Sequence, residues 1–186
     1  MKSYGIAVTM TVAATLLAAP LALAGQAPEG WTVPRTADGW DFRELDSVQR
    51  FFSEHPSEVV FNCAARQGGL GYQRTHPADI FFDNMRLGLN SMHAACQAGV
   101  EKYINVVAAC SYPGYVDGVQ GEDDYWSGPL HETVVNYGFT KKSQVVQGWC
   151  YDRQYEFKSV HLLMTNLYGP REHFHPERSH GLAALL

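Results

Sequence analysis

The chain predicts an α/β fold organised around a parallel, doubly wound sheet, and three observations carry that expectation. Short apolar runs at residues 59–61, 103–109 and 159–164 have the continuous hydrophobic character of strands covered on both faces. Longer stretches with helical spacing, 77–99 and 133–155, lie between them. Strand, helix, strand, helix, strand in succession is the pattern of parallel neighbours joined by right-handed crossovers. A length of 186 residues can bury one sizeable core, and a single domain over residues 31–186 is expected beyond an apolar segment at 1–25.

That apolar segment comes first. Lys2 gives a positive start, residues 6–23 are almost uninterruptedly apolar apart from Pro20, and Ala22-Leu23-Ala24 before Gly25 fits a small-residue cleavage site. It reads as a secretory signal peptide. A transmembrane anchor is the second reading, because the run approaches the ~18 to 20 residues that span a bilayer, and a mis-assigned start is the third. Next, Asp46 as cap with Val48, Phe51 and Phe52 on one face predicts a short helix over 46–54, ending at His55-Pro56. A strand at 59–63 and a loop holding Gly68 and Gly69 follow. Pro77 then opens a long helix whose stripe is Ile80, Met85, Leu89, Met92 and Cys96. The strand at 103–109, the helix at 133–155 and the strand at 159–164 complete the alternation.

Composition excludes some classes of function. The formal charge is -5 and there is no Lys/Arg run, which argues against a nucleic-acid partner bound by phosphate neutralisation. The four cysteines, Cys63, Cys96, Cys110 and Cys150, form no Cys-x-x-Cys, so neither a zinc site nor a disulfide scaffold is expected. Buried free thiols explain three of them, and Cys110 stands apart because it follows a strand.

In a parallel sheet, ligands collect beyond the carboxyl ends of the strands. The chemistry-bearing residues fall there or nearby. Tyr137 and Lys141 lie four apart, which on a helix sets a phenol and an ammonium on one face. A neighbouring cation is expected to lower a phenol's pKa by roughly 1 to 3 units, making it a proton donor or acceptor for a carbonyl or alcohol. Ala64 and Ala65 end the strand at 59–63, where small residues permit close approach by a flat ligand or simply tight packing.

Several further segments keep a fixed order: Glu-Val-Val-Phe-Asn-Cys-Ala-Ala at 58–65, Gly68-Gly69, Pro-Ala-Asp-Ile-Phe-Phe-Asp-Asn at 77–84, Cys-Ser-Tyr-Pro at 110–113, Thr-Asn-Leu-Tyr-Gly-Pro at 165–170 and Phe-His-Pro-Glu-Arg-Ser-His at 174–180. With Tyr137 and Lys141 they make the chain resemble the extended short-chain dehydrogenase/reductase family, and within it the nucleotide-sugar epimerase/reductases, from about residue 31 to 186. The resemblance implies a Rossmann-type sheet that is incomplete here, since the glycine-rich turn and a smaller carboxyl-terminal domain are not found in the sequence. It implies NADP or NAD as cofactor, a nucleotide sugar, GDP-linked, as substrate, a cytoplasmic setting, and a homodimer paired through the helices at 77–99 and 133–155.

Residue roles come from the same resemblance. Asp41 and Phe42 match the pair that contacts the adenine, and Ala64, Ala65 and Asn84 lie beside the dinucleotide. Tyr137 protonates the substrate oxygen as hydride arrives, while Lys141 steadies the tyrosine and the ribose. Cys110 and His180 match the cysteine and histidine that move protons beside a 4-keto group. Asn166 and Leu167 border the nicotinamide and sugar, with Asn166, Arg171 and Arg178 toward the sugar nucleotide.

Two departures matter. The family carries Ser or Thr where Ala108 and Ala109 stand, and losing such a donor costs ~10² to 10³ in rate. Ser111 is expected to substitute if the loop bends suitably. Hence a second functional reading, a secreted or tethered remnant of the fold with weakened or no catalysis; a related sugar-nucleotide 4-epimerase or dehydratase would need only Tyr137 and Lys141.

Overall fold

The structure, a computed structural model, describes residues 5–9, 31–32, 34 and 38–165. Among these residues five parallel strands form one sheet: β1 (Gly5–Thr9), β2 (Trp31–Thr32), β3 (Ser57–Asn62), β4 (Lys102–Ala108) and β5 (Ser159–Met164). Their order is β2-β1-β3-β4-β5, so the chain steps outward from β1 to β2 and then returns to the other side of β1. That reversal is the mark of a doubly wound, Rossmann-type sheet, and the crevice beside it is where ligands bind in such folds. Residues 5–9, read from sequence as the head of an export leader, thus supply an interior strand paired on both edges.

Among the described residues, four α-helices accompany the strands: α1 (Leu45–Glu54), α2 (Leu70–Thr75), α3 (Pro77–Gln97) and α4 (Val135–Tyr155). Helix α1 buries Val48, Phe51 and Phe52 as its spacing predicts, but Asp46 lies inside the first turn rather than capping it. There its carboxylate complements the helix dipole. Helix α2 was not expected, because a glycine pair followed by a mixed polar stretch reads as loop. Helix α3 starts at Pro77, whose fixed φ and missing N–H suit the first helical position. Its buried face runs through Ile80, Asn84, Leu87, Ser91 and Ala95, so Met85 and Leu89 of the expected stripe are only half-buried. The displacement has a physical reason: the face includes Asp83, Asn84 and Ser91, polar groups satisfied by tertiary partners, which an apolar stripe cannot register.

The main core joins α1 and α3 to the sheet through Phe42, Phe51, Val60, Met92, Tyr103 and Phe157. Trp40, Phe42, Phe52 and His55 all meet the Phe51 ring at centroid distances of 4.8–5.4 Å. A second cluster of Val107, Tyr125 and Val145 sits further toward the carboxyl ends. Among the described residues, burial alternates along β4 and β5 instead of covering both faces, with Val160 and Leu162 exposed on β5.

Candidate active site at the carboxyl ends of β3 and β4

Three segments converge where β3 and β4 end: the loop after Asn62, the 3-10 turn Ala109–Ser111, and the first turns of α4. Helix α4 can reach the turn because position 138 is glycine; a Cβ there would lie 2.2 Å from the Cys110 carbonyl oxygen. This close approach brings Tyr137, Lys141 and Cys110 together.

Lys141 is 2% exposed, and its ammonium donates to the carbonyls of Val106 at 3.0 Å and Ala64 at 3.3 Å. It therefore bridges the ends of two strands. Burial pulls its pKa down to about 8, against the opposing influence of the Cys63 and Cys110 thiols. With a pKa of about 8 the ammonium is still mostly protonated at neutral pH, and its two carbonyl acceptors favour that charged form. Its nitrogen is 5.8 Å from the centre of the Tyr137 ring.

The phenol behaves differently from its sequence expectation. Tyr137 is 4% exposed, and burial, reinforced by Cys110, pushes its pKa up rather than letting the lysine lower it. The desolvation of a phenolate outweighs a cation that is occupied by backbone carbonyls. Burial likewise pushes the Cys110 thiol up to about 11, with Lys141 opposing, and raises Cys63. At neutral pH both Tyr137 and Cys110 hold their protons, so the site is equipped to donate.

The remaining expected residues divide clearly. Ala64 is buried and Ala65 half-buried, directly after β3. Asn84 accepts from the Arg66 amide at 2.8 Å and donates to the Arg66 carbonyl at 2.7 Å, while Arg66 pairs with Asp83 at 2.6 Å. Together these lock the loop after Ala65 onto α3. Asp41 is taken by Arg43 at 2.6 Å, and that guanidinium holds its carboxyl below the usual range. The Phe42 ring is wholly in the core, so only its backbone remains for a ligand. Ser111 is fully buried and donates to the Ala108 carbonyl at 2.5 Å. Its proton is turned back into the strand end, so the expected substitution for the missing family hydroxyl is not the geometry seen. Asn166, Leu167, Arg171, Arg178 and His180 lie outside the described residues.

Sequence reading missed a row of polar side chains beneath the site. Asn62, Asn105 and His161 are register partners on β3, β4 and β5, and both asparagines are fully buried. The available signal was an Asn interrupting each of two apolar runs. Among the described residues no group of three or more His, Cys, Asp or Glu could hold a metal, and no helix is long and apolar enough to cross a membrane.

A parallel sheet with this strand order, closing on a helix-borne Tyr/Lys pair beside a strand-end cysteine, defines a class. Residues 16–186 match the NAD dependent epimerase/dehydratase family, and the chain belongs to it. Among curated relatives it is similar to GDP-L-fucose synthase of Escherichia coli (strain K12), with 35% identity over 156 residues, covering 83% of this chain and 48% of that one. The putative GDP-L-fucose synthase 2 of Arabidopsis thaliana is 32% identical over 160 residues, covering 85% and 49%. The solved structure of a GDP-L-fucose synthetase from Naegleria fowleri bound to NADP superposes with a TM-score of 0.80 at 20% identity, covering 100% of this chain and 61% of that one, a likeness of fold. The chain spans about half the length of the curated relatives it matches.

Proposed function

We propose that this chain is the nucleotide-binding part of a nucleotide-sugar epimerase/reductase that acts on a GDP-linked 4-keto-6-deoxy sugar with NADP or NAD. The observation that carries the reading is the enclosed Tyr137, Lys141 and Cys110 group at the ends of β3 and β4. The GDP-L-fucose synthase relatives support the substrate class, and the NADP-bound neighbour supports the cofactor.

The residues present fit a nicotinamide dinucleotide in two respects: small side chains at Ala64 and Ala65, and a cation at their edge. When bound, the cofactor supplies hydride. Tyr137, kept protonated by burial, gives its proton to the substrate oxygen, and Lys141 would hold the ribose and oppose charge left on the phenol. Asn84, by holding the Arg66 loop, would support the dinucleotide, and Asp41 with the Phe42 backbone would hold its adenine. At the carbon beside the keto group His180 takes the proton from one face, and the Cys110 thiol, kept protonated by burial, returns one to the enolate from the other, so that the centre inverts with no net change in protons on the substrate. Asn166, Leu167, Arg171 and Arg178 complete the sugar-nucleotide side.

A second reading, a weakened remnant, has its own observation in Ala108, Ala109 and the committed Ser111 proton. Self-association is also part of the proposal, because Phe81, Phe82, Phe139, Val146 and Trp149 expose apolar area along α3 and α4.

Calorimetric titration with NADPH and NADH, followed by turnover of GDP-4-keto-6-deoxymannose, tests the first reading. Micromolar cofactor binding with turnover that falls ~10² to 10⁴-fold in Tyr137→Phe is the expected result. Cofactor binding without turnover selects the remnant, and no binding at millimolar cofactor overturns both.

A further inference from the structure

Beneath Lys141, the sheet holds a continuous line of side-chain hydrogen bonds. Asn62 Oδ1 accepts the Ala64 amide proton at 3.1 Å, and Asn62 Nδ2 donates to Asn105 Oδ1 at 3.1 Å. Asn105 Nδ2 lies 3.3 Å from His161 Nδ1, and His161 Nε2 lies 3.2 Å from Ser159 Oγ. The line crosses β3, β4 and β5 at matched register.

Its polarity is dictated from one end. A backbone N–H can only donate, so the Asn62 oxygen must face Ala64 and its NH2 must face Asn105. The Asn105 oxygen then accepts, which leaves its NH2 pointing at His161. His161 Nδ1 is consequently an acceptor, and the ring proton sits on Nε2, facing Ser159. An imidazolium would set N–H against NH2, so the line also requires a neutral ring, consistent with burial holding His161 down to about 4. Helix α4 leaves room for this end of the row through Gly148, where a Cβ would lie 2.4 Å from His161 Nε2.

We propose that Asn62, Asn105 and His161 are positioning residues: the row fixes Ala64 from its N–H side, and Ala64 in turn presents its carbonyl to Lys141. Ala64 is gripped at both ends, by Asn62 at the nitrogen and by the Lys141 ammonium at the oxygen. Two adjoining functions of one residue are thereby coupled, the floor of the proposed cofactor cleft and the seat of the site's buried cation. The importance of Lys141 to catalysis rests on the function proposed above; the coupling does not.

The test reads Lys141 directly and needs neither cofactor nor turnover. In the full chain, the Lys141 side-chain NMR resonance, assigned by comparison with Lys141→Arg, is titrated with pH. It should show a midpoint near 8 in the parent chain. Asn62→Leu should move that midpoint by roughly one unit, tenfold in proton affinity, or more. Asn62→Ser, whose hydroxyl can still accept the amide two residues on, should restore most of the parent value. Asn90→Ala removes a half-buried hydrogen bond to the Arg43 carbonyl, 2.8 Å long and outside the row, and should leave Lys141 unmoved. An unchanged Lys141 midpoint in folded Asn62→Leu overturns the proposal. Should that variant fail to fold, nitrogen NMR of His161 in the parent chain decides: the Nε2–H tautomer is required, and an Nδ1–H ring at neutral pH overturns the row.

Discussion

The same sheet face is built from opposite materials at its two ends. Toward the amino ends, Phe51, Val60, Tyr103 and Phe157 interlock rings and branched side chains around α1 and α3. Toward the carboxyl ends, Asn62, Asn105, Lys141 and Tyr137 are equally enclosed but polar. Enclosing an apolar ring stabilises the fold, whereas enclosing an amide, an ammonium or a phenol costs free energy unless each finds a partner. The difference teaches that the fold's stability is concentrated in one half, and that the other half uses it to hold reactive groups out of water.

The largest effect should come from breaking the stabilising half. Phe51→Ala removes a ring that meets four aromatic neighbours and should lower unfolding free energy by about 3–5 kcal/mol in urea. If the halves divide labour as described, the fraction that remains folded keeps the parent Lys141 titration. A matching shift in Lys141 would show that the core also tunes the site.

The next acts on the reactive half alone. Ala108→Ser adds a hydroxyl at the end of β4, where the resemblance implies a carbonyl donor and where Ser111 is turned inward. Turnover of the proposed sugar nucleotide should rise ~10² to 10³-fold with little change in cofactor affinity, measured by steady-state kinetics and calorimetry. No gain would mean that the oxygen of the substrate is held by another group.

A smaller effect is expected from pH. Burial lowers the His161 pKa from 6.5 to about 4 in the folded chain, so between these values the unfolded chain binds the proton first. Stability from this group is complete above about pH 6.5 and is lost as pH falls toward 4, by roughly 3 kcal/mol at most. Urea unfolding at several pH values should show this slope, and His161→Gln should flatten it.

How much of this was legible beforehand follows from the range of each interaction. The alternation of elements, the Pro77 start of α3 and the shared face of Tyr137 and Lys141 are local facts, and all are readable from spacing. The Asn62–Asn105–His161 row is not, because its members are separated by 43 and 56 residues and meet only through strand register. The direction of the Tyr137 shift was also hidden: spacing reveals the lysine nearby but not that two carbonyls from other segments occupy its charge. Ser111 fails for a third reason, since the turn that follows β4 decides where a hydroxyl points.

The smallest expected effect lies at the amino ends, in two turns that do the same job with different residues. Helix α3 returns to β4 through Gly99 at φ +75°, and α4 returns to β5 through Glu156 at φ 56°. Both lie in the left-handed region, where glycine has no Cβ penalty and other L-residues do. The Glu156 amide still caps α4 by donating to the Asp152 carbonyl at 3.0 Å, so the conformation is maintained by its hydrogen bond despite the strain. Glu156→Gly should therefore raise unfolding free energy by about 0.5–1 kcal/mol, and Gly99→Ala should lower it by about 1 kcal/mol. Opposite signs in thermal unfolding would establish that the two connections are constrained alike. Equal signs would mean that the Glu156 side chain contributes more at its surface position than its backbone costs.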